Sequence, residues 1–229
     1  MMKTAKQKFL TSNILLLVLE GACLVYYDFH GGLWLKGVTS AWFVLLGFLN
    51  LFYAGKMHCT SFRATLLMVF AMFLGMTADV LLGIAFMVGT AVFALGHILY
   101  FFGFCVMQKF HRRDLYAVLP IGAVSLFIVL GTPYIQVEDT TMKLLLIGYA
   151  IVISCMLGKS ISNLVRKKST SSWLMAVGSI LFWFSDLMLA LSIFGSGGKA
   201  VSFLCMYSYW PGQSILAHSL FHFINENHE

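Results

Sequence analysis

The sequence predicts an all-α, polytopic membrane protein, with eight transmembrane helices in one domain spanning residues 1–229. Three observations carry this. Hydrophobic residues fill 60% of the chain and charged residues only 10%, where a soluble domain carries about 25% charged. The apolar residues fall into eight runs, each near the roughly 20 residues a helix needs to cross ~30 Å of hydrocarbon. The connections between runs alternate between basic and nearly uncharged. No connection is long enough to build a separate soluble domain.

The runs cover residues 9–27, 34–54, 64–84, 86–107, 115–132, 143–164, 172–194 and 200–223. The first follows Lys3, Lys6 and Lys8; it is too long for a signal-peptide core and lacks a small-residue cleavage site, so it reads as a retained span. Lys36 stands near the outer end of the second. The third contains Thr77-Ala78-Asp79-Val80-Leu81-Leu82, and the fourth carries His97 and Tyr100. Pro120 and Pro133 mark the ends of the fifth, and Arg166, Lys167 and Lys168 follow the sixth. The seventh contains Phe184-Ser185-Asp186-Leu187-Met188-Leu189. Gly195-Ser196-Gly197-Gly198 has no strand before it and reads as a turn, not a phosphate cradle. The eighth carries Tyr209, Pro211, Gln213, His218 and His222.

Of the 15 basic residues, 12 fall on one side of this arrangement, leaving Lys36, Lys143 and Lys199 on the other. The positive-inside rule then puts both termini in the cytoplasm, and a bacterial inner membrane suits the chain. The same count makes the basic clusters topology signals rather than nucleic-acid sites. Tyr26, Tyr27 and Trp34 at one face and Trp173 at the other suit an interfacial aromatic belt.

The two aspartates stand out because a carboxylate in mid-membrane costs roughly 2.5–3.5 kcal/mol and is usually functional. Both lie on spans that run from inside to outside, and Tyr100 and Tyr207 each follow their aspartate by the same interval. This pattern suggests two parallel four-helix halves. At a rise of about 1.5 Å per residue, Asp79, Glu20 and Asp186 lie roughly 8–12 Å below the outer ends of their spans. His97 and Tyr209 come to roughly 15 Å, and Tyr100 and Gln213 to about 20 Å. With Lys36, these residues are expected to line one cavity in the outer half.

His218 and His222 have a metal-ligand spacing, but the former lies about 27 Å deep, out of reach of either aspartate through bonds of about 2.0–2.2 Å. No metal is expected. Cys23, Cys59, Cys105, Cys155 and Cys205 are scattered and read as small buried hydrophobes. Serine-hydrolase elbows, zinc-protease helices and phosphate-binding loops are all missing.

Four motifs in order resemble the YhhN-like membrane proteins, which include the lysoplasmalogenases. They are Asp79-x-x-Leu82, Gly96-His97-x-x-Tyr100, Ser185-Asp186-x-x-Leu189 and Tyr209-x-x-x-Gln213. The resemblance covers about 64–107 and 171–217 well. Where the family commonly has Lys-Pro, this chain has Lys36-Gly37. The resemblance implies an eight-helix bundle that hydrolyses the vinyl ether bond of lysoplasmalogens, with Asp79 and Asp186 as catalytic residues. Glu20, Lys36, His97, Tyr100, Tyr209 and Gln213 are the expected substrate-binding set.

That chemistry suits two carboxylates. Protonating the β-carbon of a vinyl ether gives an oxocarbenium ion that water captures, and the hemiacetal collapses to a fatty aldehyde and a glycerophospho-alcohol. An acid and a base suffice, so no cofactor is expected; glycosidases meet a related oxocarbenium ion with the same pair. The sequence leans to Asp79 as the acid. The expected partners are a lysophospholipid-type substrate and membrane lipids. The alternative is a proton-coupled transporter or lipid carrier, which also places carboxylates in a membrane cavity. A third is a structural bundle whose aspartates only bind helices together.

The topology is directly testable. Reporter fusions at either terminus are expected to report a cytoplasmic location; a periplasmic signal at the C-terminus would show that the spans are miscounted.

Overall fold

The computed structural model describes residues 2–57, 62–195 and 197–227, with side chains from residue 6 onward. Lys3, Cys59 and Ser196 of the sequence reading therefore lie outside the described side chains. The described residues form eight α-helices: α1 (Met2–His30), α2 (Leu33–Lys56), α3 (Phe62–Ile84), α4 (Phe86–Met107), α5 (Leu115–Gly131), α6 (Thr140–Arg166), α7 (Thr170–Phe194) and α8 (Lys199–Glu226). There is no strand among the described residues. Helices α1 to α7 are long and apolar enough to cross a membrane. With 28 residues α8 matches them in length, but Ser208, Tyr209, Gln213, Ser214 and Ser219 make it more polar.

Two helix reversals are very short. Between α1 and α2 only Gly31 and Gly32 intervene, with φ of 62° and 99°. Side chains rarely adopt such angles, so glycine is required there. Gly31 N–H bonds the Tyr27 carbonyl to close α1. Between α3 and α4 a single residue, Ala85, turns the chain.

The α3–α4 pair is drawn together by a glycine seam with a seven-residue repeat. A Cβ at Gly89 would lie 2.6 Å from the Leu82 backbone nitrogen, and one at Gly103 would lie 3.0 Å from Met68. A Cβ at Gly96 would stand 3.3 Å from the Ala71 carbonyl. Such small residues let helices approach where hydrophobic driving force is absent. Gly178 and Gly212 play the same part between α7 and α8, each facing the other's carbonyl.

Six helices close into a ring in the order α2, α3, α4, α6, α7, α8 and back to α2. The two remaining helices pack on its outside, α1 against α2 and α5 against α6. Most of their surface is exposed, as expected of apolar helices that face lipid; the one fully buried residue of α5 is Ser125. The ring interior is aromatic and methionine-rich, with Phe43, Met68, Met72, Tyr100, Phe104, Phe182 and Trp210 almost wholly buried.

Polar clamps hold the end of the bundle remote from Lys36. Asn13 of α1 and Asn50 of α2 exchange side-chain hydrogen bonds at 3.0 Å, and Asn50 also donates to the Ala217 carbonyl of α8. Asp114, in the turn before α5, accepts from Lys159 at 2.8 Å, Ser162 at 2.6 Å and the His111 N–H at 2.9 Å. Arg166 lies 3.4 Å from the same carboxylate. Lys159, one of the 12 basic residues grouped on one side, flanks no connection; it is fully buried on α6, where Asp114 supplies its counter-charge. The aromatic belt needs a similar correction. Trp34 and Trp173 are exposed, but Tyr27 turns inward and meets Trp210 edge-on at 5.1 Å.

Breaking a buried pair by removing one partner costs about 3–5 kcal/mol, since the other charge stays buried. Asp114→Ala is therefore expected to lower the melting temperature sharply in detergent. Adding Lys159→Met should recover part of the loss, and an unchanged melting temperature in the single variant would refute the clamp.

Candidate active site

Both aspartates are placed by the ring, and each is held by the helix before it and by one from across the bundle. Asp79 on α3 is 2% exposed. Its Oδ1 lies 3.3 Å from Lys36 Nζ on α2. Its Oδ2 accepts from Ser40 at 2.5 Å, one turn beyond Lys36, and from Tyr209 of α8 at 2.8 Å. Trp210 Nε1 donates to Ser40 Oγ at 3.0 Å, which orients the serine hydroxyl toward the carboxylate.

Asp186 on α7 has different neighbours. Its Oδ2 accepts from Tyr149 of α6 at 2.5 Å and lies 3.2 Å from His97 Nε2 of α4. The same nitrogen is 2.8 Å from the Tyr149 hydroxyl, so the three groups form a closed triangle. The other ring nitrogen faces Met156 Sδ at 3.2 Å, and Phe182 packs on the ring with centroids 4.5 Å apart.

The two settings differ in how they handle a proton. Around Asp79 an ammonium and two hydroxyls all supply donors, which suits a carboxylate, an acceptor-only group with about four lone-pair positions. Around Asp186 the partners are the His97 imidazole, the Tyr149 phenol and the Ser185 hydroxyl, which donates to Oδ1 at 3.3 Å. The imidazole donates or accepts according to tautomer, and the phenol oxygen does either. A proton on Asp186 is accommodated by switching the His97 tautomer, with no donor facing a donor.

Asp79, Asp186, Lys36, Tyr27, Ser185 and Tyr209 line one cavity, together with Leu82, Phe93, Leu189 and Trp210. A second, apolar cavity lies among α4, α5, α6 and α7. The two enclose about 610 and 620 Å³ of space respectively, their mouths included.

The model of the YhhN family matches residues 36–220. The chain belongs to the YhhN family. Neither a curated protein nor a solved structure matches it. The matched segment begins at Lys36 and contains every candidate site residue except Glu20.

Glu20 is also set apart by the fold. It is buried, but it faces a pocket between α1 and α8, beside Leu17, Leu24 and Pro211, and accepts from Ser214. The expected single cavity therefore excludes it: equal depth does not bring residues together when α1 stands outside the ring. Tyr100 and Gln213 pair with each other, the hydroxyl donating to Oε1 at 2.5 Å, and lie behind Tyr209 rather than at the cavity wall. Gly75 leaves them room, since a Cβ there would stand 3.2 Å from Gln213 Nε2. The Tyr100 and Tyr207 spacing does not mark equivalent positions, because Tyr207 donates instead to Asp28 at 3.2 Å. His218 bonds Asn13 at 3.1 Å, and no group of three or more metal-type ligands gathers among the described residues.

Tyr149, Ser40, Trp210 and Met156 escaped the sequence reading. Ser40 carried a faint signal, one helical turn from Lys36. Tyr149 carried none, because nothing charged lies near it in sequence.

The Lys36–Asp79 pair should show up as coupled stability. Lys36→Met is expected to lower the melting temperature, by less than the ~3–5 kcal/mol of a fully buried pair because the lysine keeps 23% exposure. Adding Asp79→Asn should restore most of it, whereas additive losses in a double-mutant cycle would mean that the pair is not coupled.

Proposed function

We propose that this protein is a membrane hydrolase that cleaves the vinyl ether bond of lysoplasmalogen-type lipids, releasing a fatty aldehyde and a glycerophospho-alcohol. The observation that carries this reading is the pair of aspartates on one cavity wall, one beside a lysine cation and one beside an imidazole that can pass a proton. Asp186 is the acid in this reading, the reverse of the sequence-based lean to Asp79. It protonates the β-carbon, and positive charge spreads over the α-carbon and the ether oxygen. Asp79 faces that charge as a carboxylate. A water adds to the α-carbon and gives a proton to Asp79, which keeps a free acceptor position beyond its three partners. The hemiacetal then collapses, its hydroxyl proton leaving as the C–O bond to the glyceryl oxygen breaks and that oxygen is protonated. Asp79 then gives up the proton it took from water, and His97 and Tyr149 relay one to Asp186, so that both carboxyl groups return to their starting states with one water consumed.

Lys36 keeps the Asp79 site neutral overall and offers a cation toward a phosphate headgroup. The reading places all eight helices across a bacterial inner membrane, α8 included, with both termini in the cytoplasm. Two parallel four-helix halves are supported by the packing order: α1–α2, α2–α3 and α3–α4 have counterparts in α5–α6, α6–α7 and α7–α8, and α8–α2 has one in α4–α6.

Aldehyde release from a synthetic lysoplasmalogen, measured per folded molecule, tests this. Asp79→Asn and Asp186→Asn are each expected to fall about 10²–10⁴-fold, with the double variant little worse than the worse single one. If either single variant keeps more than about a tenth of wild-type turnover, that aspartate is not the acid or base. No release by wild-type protein would favour the transporter or carrier reading.

A further inference from the structure

The polar and apolar cavities share four residues of wall: Leu82, Phe93, Leu189 and Asp186. Among the described residues Asp186 is the only carboxylate that borders both, since Asp79, like Lys36, lines the polar cavity alone. From these observations we infer that the apolar cavity seats the substrate's hydrocarbon chain, that Asp186 stands at the neck where the chain meets the reacting bond, and that Ala150 and Ala190, which flank that neck, keep the way open for a long chain. The inference rests on the hydrolase reading and extends it to the orientation and selection of substrate.

The apolar cavity holds little that would favour water. Its few polar side chains already have partners: Thr90 donates to the Phe86 carbonyl, and Trp183 Nε1 donates to Ser125 Oγ at 2.9 Å. Ser125 in turn donates to the Ile121 carbonyl, and the Tyr149 hydroxyl is committed to Asp186. A buried polar group without a partner would call for water or a polar ligand. With every such group satisfied, shape and dispersion are left to recognise an occupant, which is what an unbranched alkyl chain offers.

The chemistry asks for the same orientation. In a vinyl ether the carbon that takes the proton is the β-carbon, on the chain side of the bond, while water adds on the side of the ether oxygen and headgroup. The acid must therefore border the chain and the base must border the headgroup. Asp186 meets the first condition at the neck. Asp79, beside Lys36 in the polar cavity, meets the second.

Selection by length then has to be steric. A chain leaving lipid for this cavity gains little hydrophobic energy, since lipid tails are as apolar as the wall. Ala150 and Ala190 are the smallest side chains on that wall, one on α6 and one on α7. Larger residues there would narrow the passage from the neck that a long chain must follow and a short one need not. One misplaced methylene in a fitted apolar pocket changes kcat/KM about 10–200-fold.

Two measurements on the detergent-solubilised full chain decide the matter. In the first, kcat/KM is compared for long-chain and short-chain vinyl ether lysolipids. Ala190→Leu, and as a milder change Ala150→Val, should lower the long-to-short ratio at least tenfold. An unchanged ratio in both folded variants would overturn the assignment of the alanines. The second needs no turnover. A non-cleavable alkyl-ether lysophospholipid brominated in mid-chain should quench Trp183, read as the difference between wild type and Trp183→Phe. The quenching should saturate and be competed by the unbrominated lipid. A Trp183 signal untouched at saturation would overturn the chain site even if aldehyde is released, leaving the hydrolase reading in place. Saturable quenching without aldehyde release would support the chain site and count against the hydrolase reading instead.

Discussion

A carboxylate inside hydrocarbon has to be supplied with partners by the helices around it, and most of this structure follows from doing so twice. Lys36 reaches Asp79 at 3.3 Å only because α2 lies against α3, and Tyr209 reaches it only because α8 closes back on α2. Asp186 draws on α6 and α4 in the same way through Tyr149 and His97. Isolated ionisable side chains at this depth carry a penalty of about 2.5–3.5 kcal/mol on insertion scales, so such groups face a bundle interior and find partners there. The six-helix ring is the arrangement that provides them. Helices α1 and α5, which supply neither aspartate with a ligand, stand outside it.

The partners differ in kind, and that difference carries the proposed chemistry. A carboxylate beside an ammonium and a carboxylate beside an imidazole are two environments for one residue type, which is how paired carboxylates divide acid from base work. Sequence-local features around the aspartates do not predict the division. Asp79 has Met76 and Val80 as near neighbours along its helix, which read as apolar, yet across the bundle it meets a lysine. The apolar cavity on the far side of Asp186 adds a second asymmetry, because only one of the two carboxylates borders it.

Close packing is what allows this polar interior to stay organised. The seam of Gly89, Gly96 and Gly103 brings α4 against α3, and so fixes where His97 points relative to α7. Gly75 clears the volume that Tyr209 and Gln213 occupy. At the opposite end of the bundle, Asp114 and Lys159 pin the α4–α5 connection to α6, the helix that presents Tyr149.

Much of the architecture was legible in the chain itself. Runs of about 20 apolar residues can satisfy their backbone groups in a bilayer only as helices, so the helix number and approximate limits follow from composition and length. The two aspartates announced themselves by cost, and Lys36, His97 and Tyr209 by lying at a compatible depth. Depth along the membrane normal is a one-dimensional quantity, however, and contact is three-dimensional. It grouped Glu20 with the aspartates, although α1 turns that residue to a different pocket, and it gave no sign of Tyr149, whose sequence neighbours are all uncharged. Which helix neighbours which, and which face each one turns inward, was decided by the tertiary structure, because lateral packing depends on side-chain shape and mutual polar satisfaction between helices far apart in the sequence.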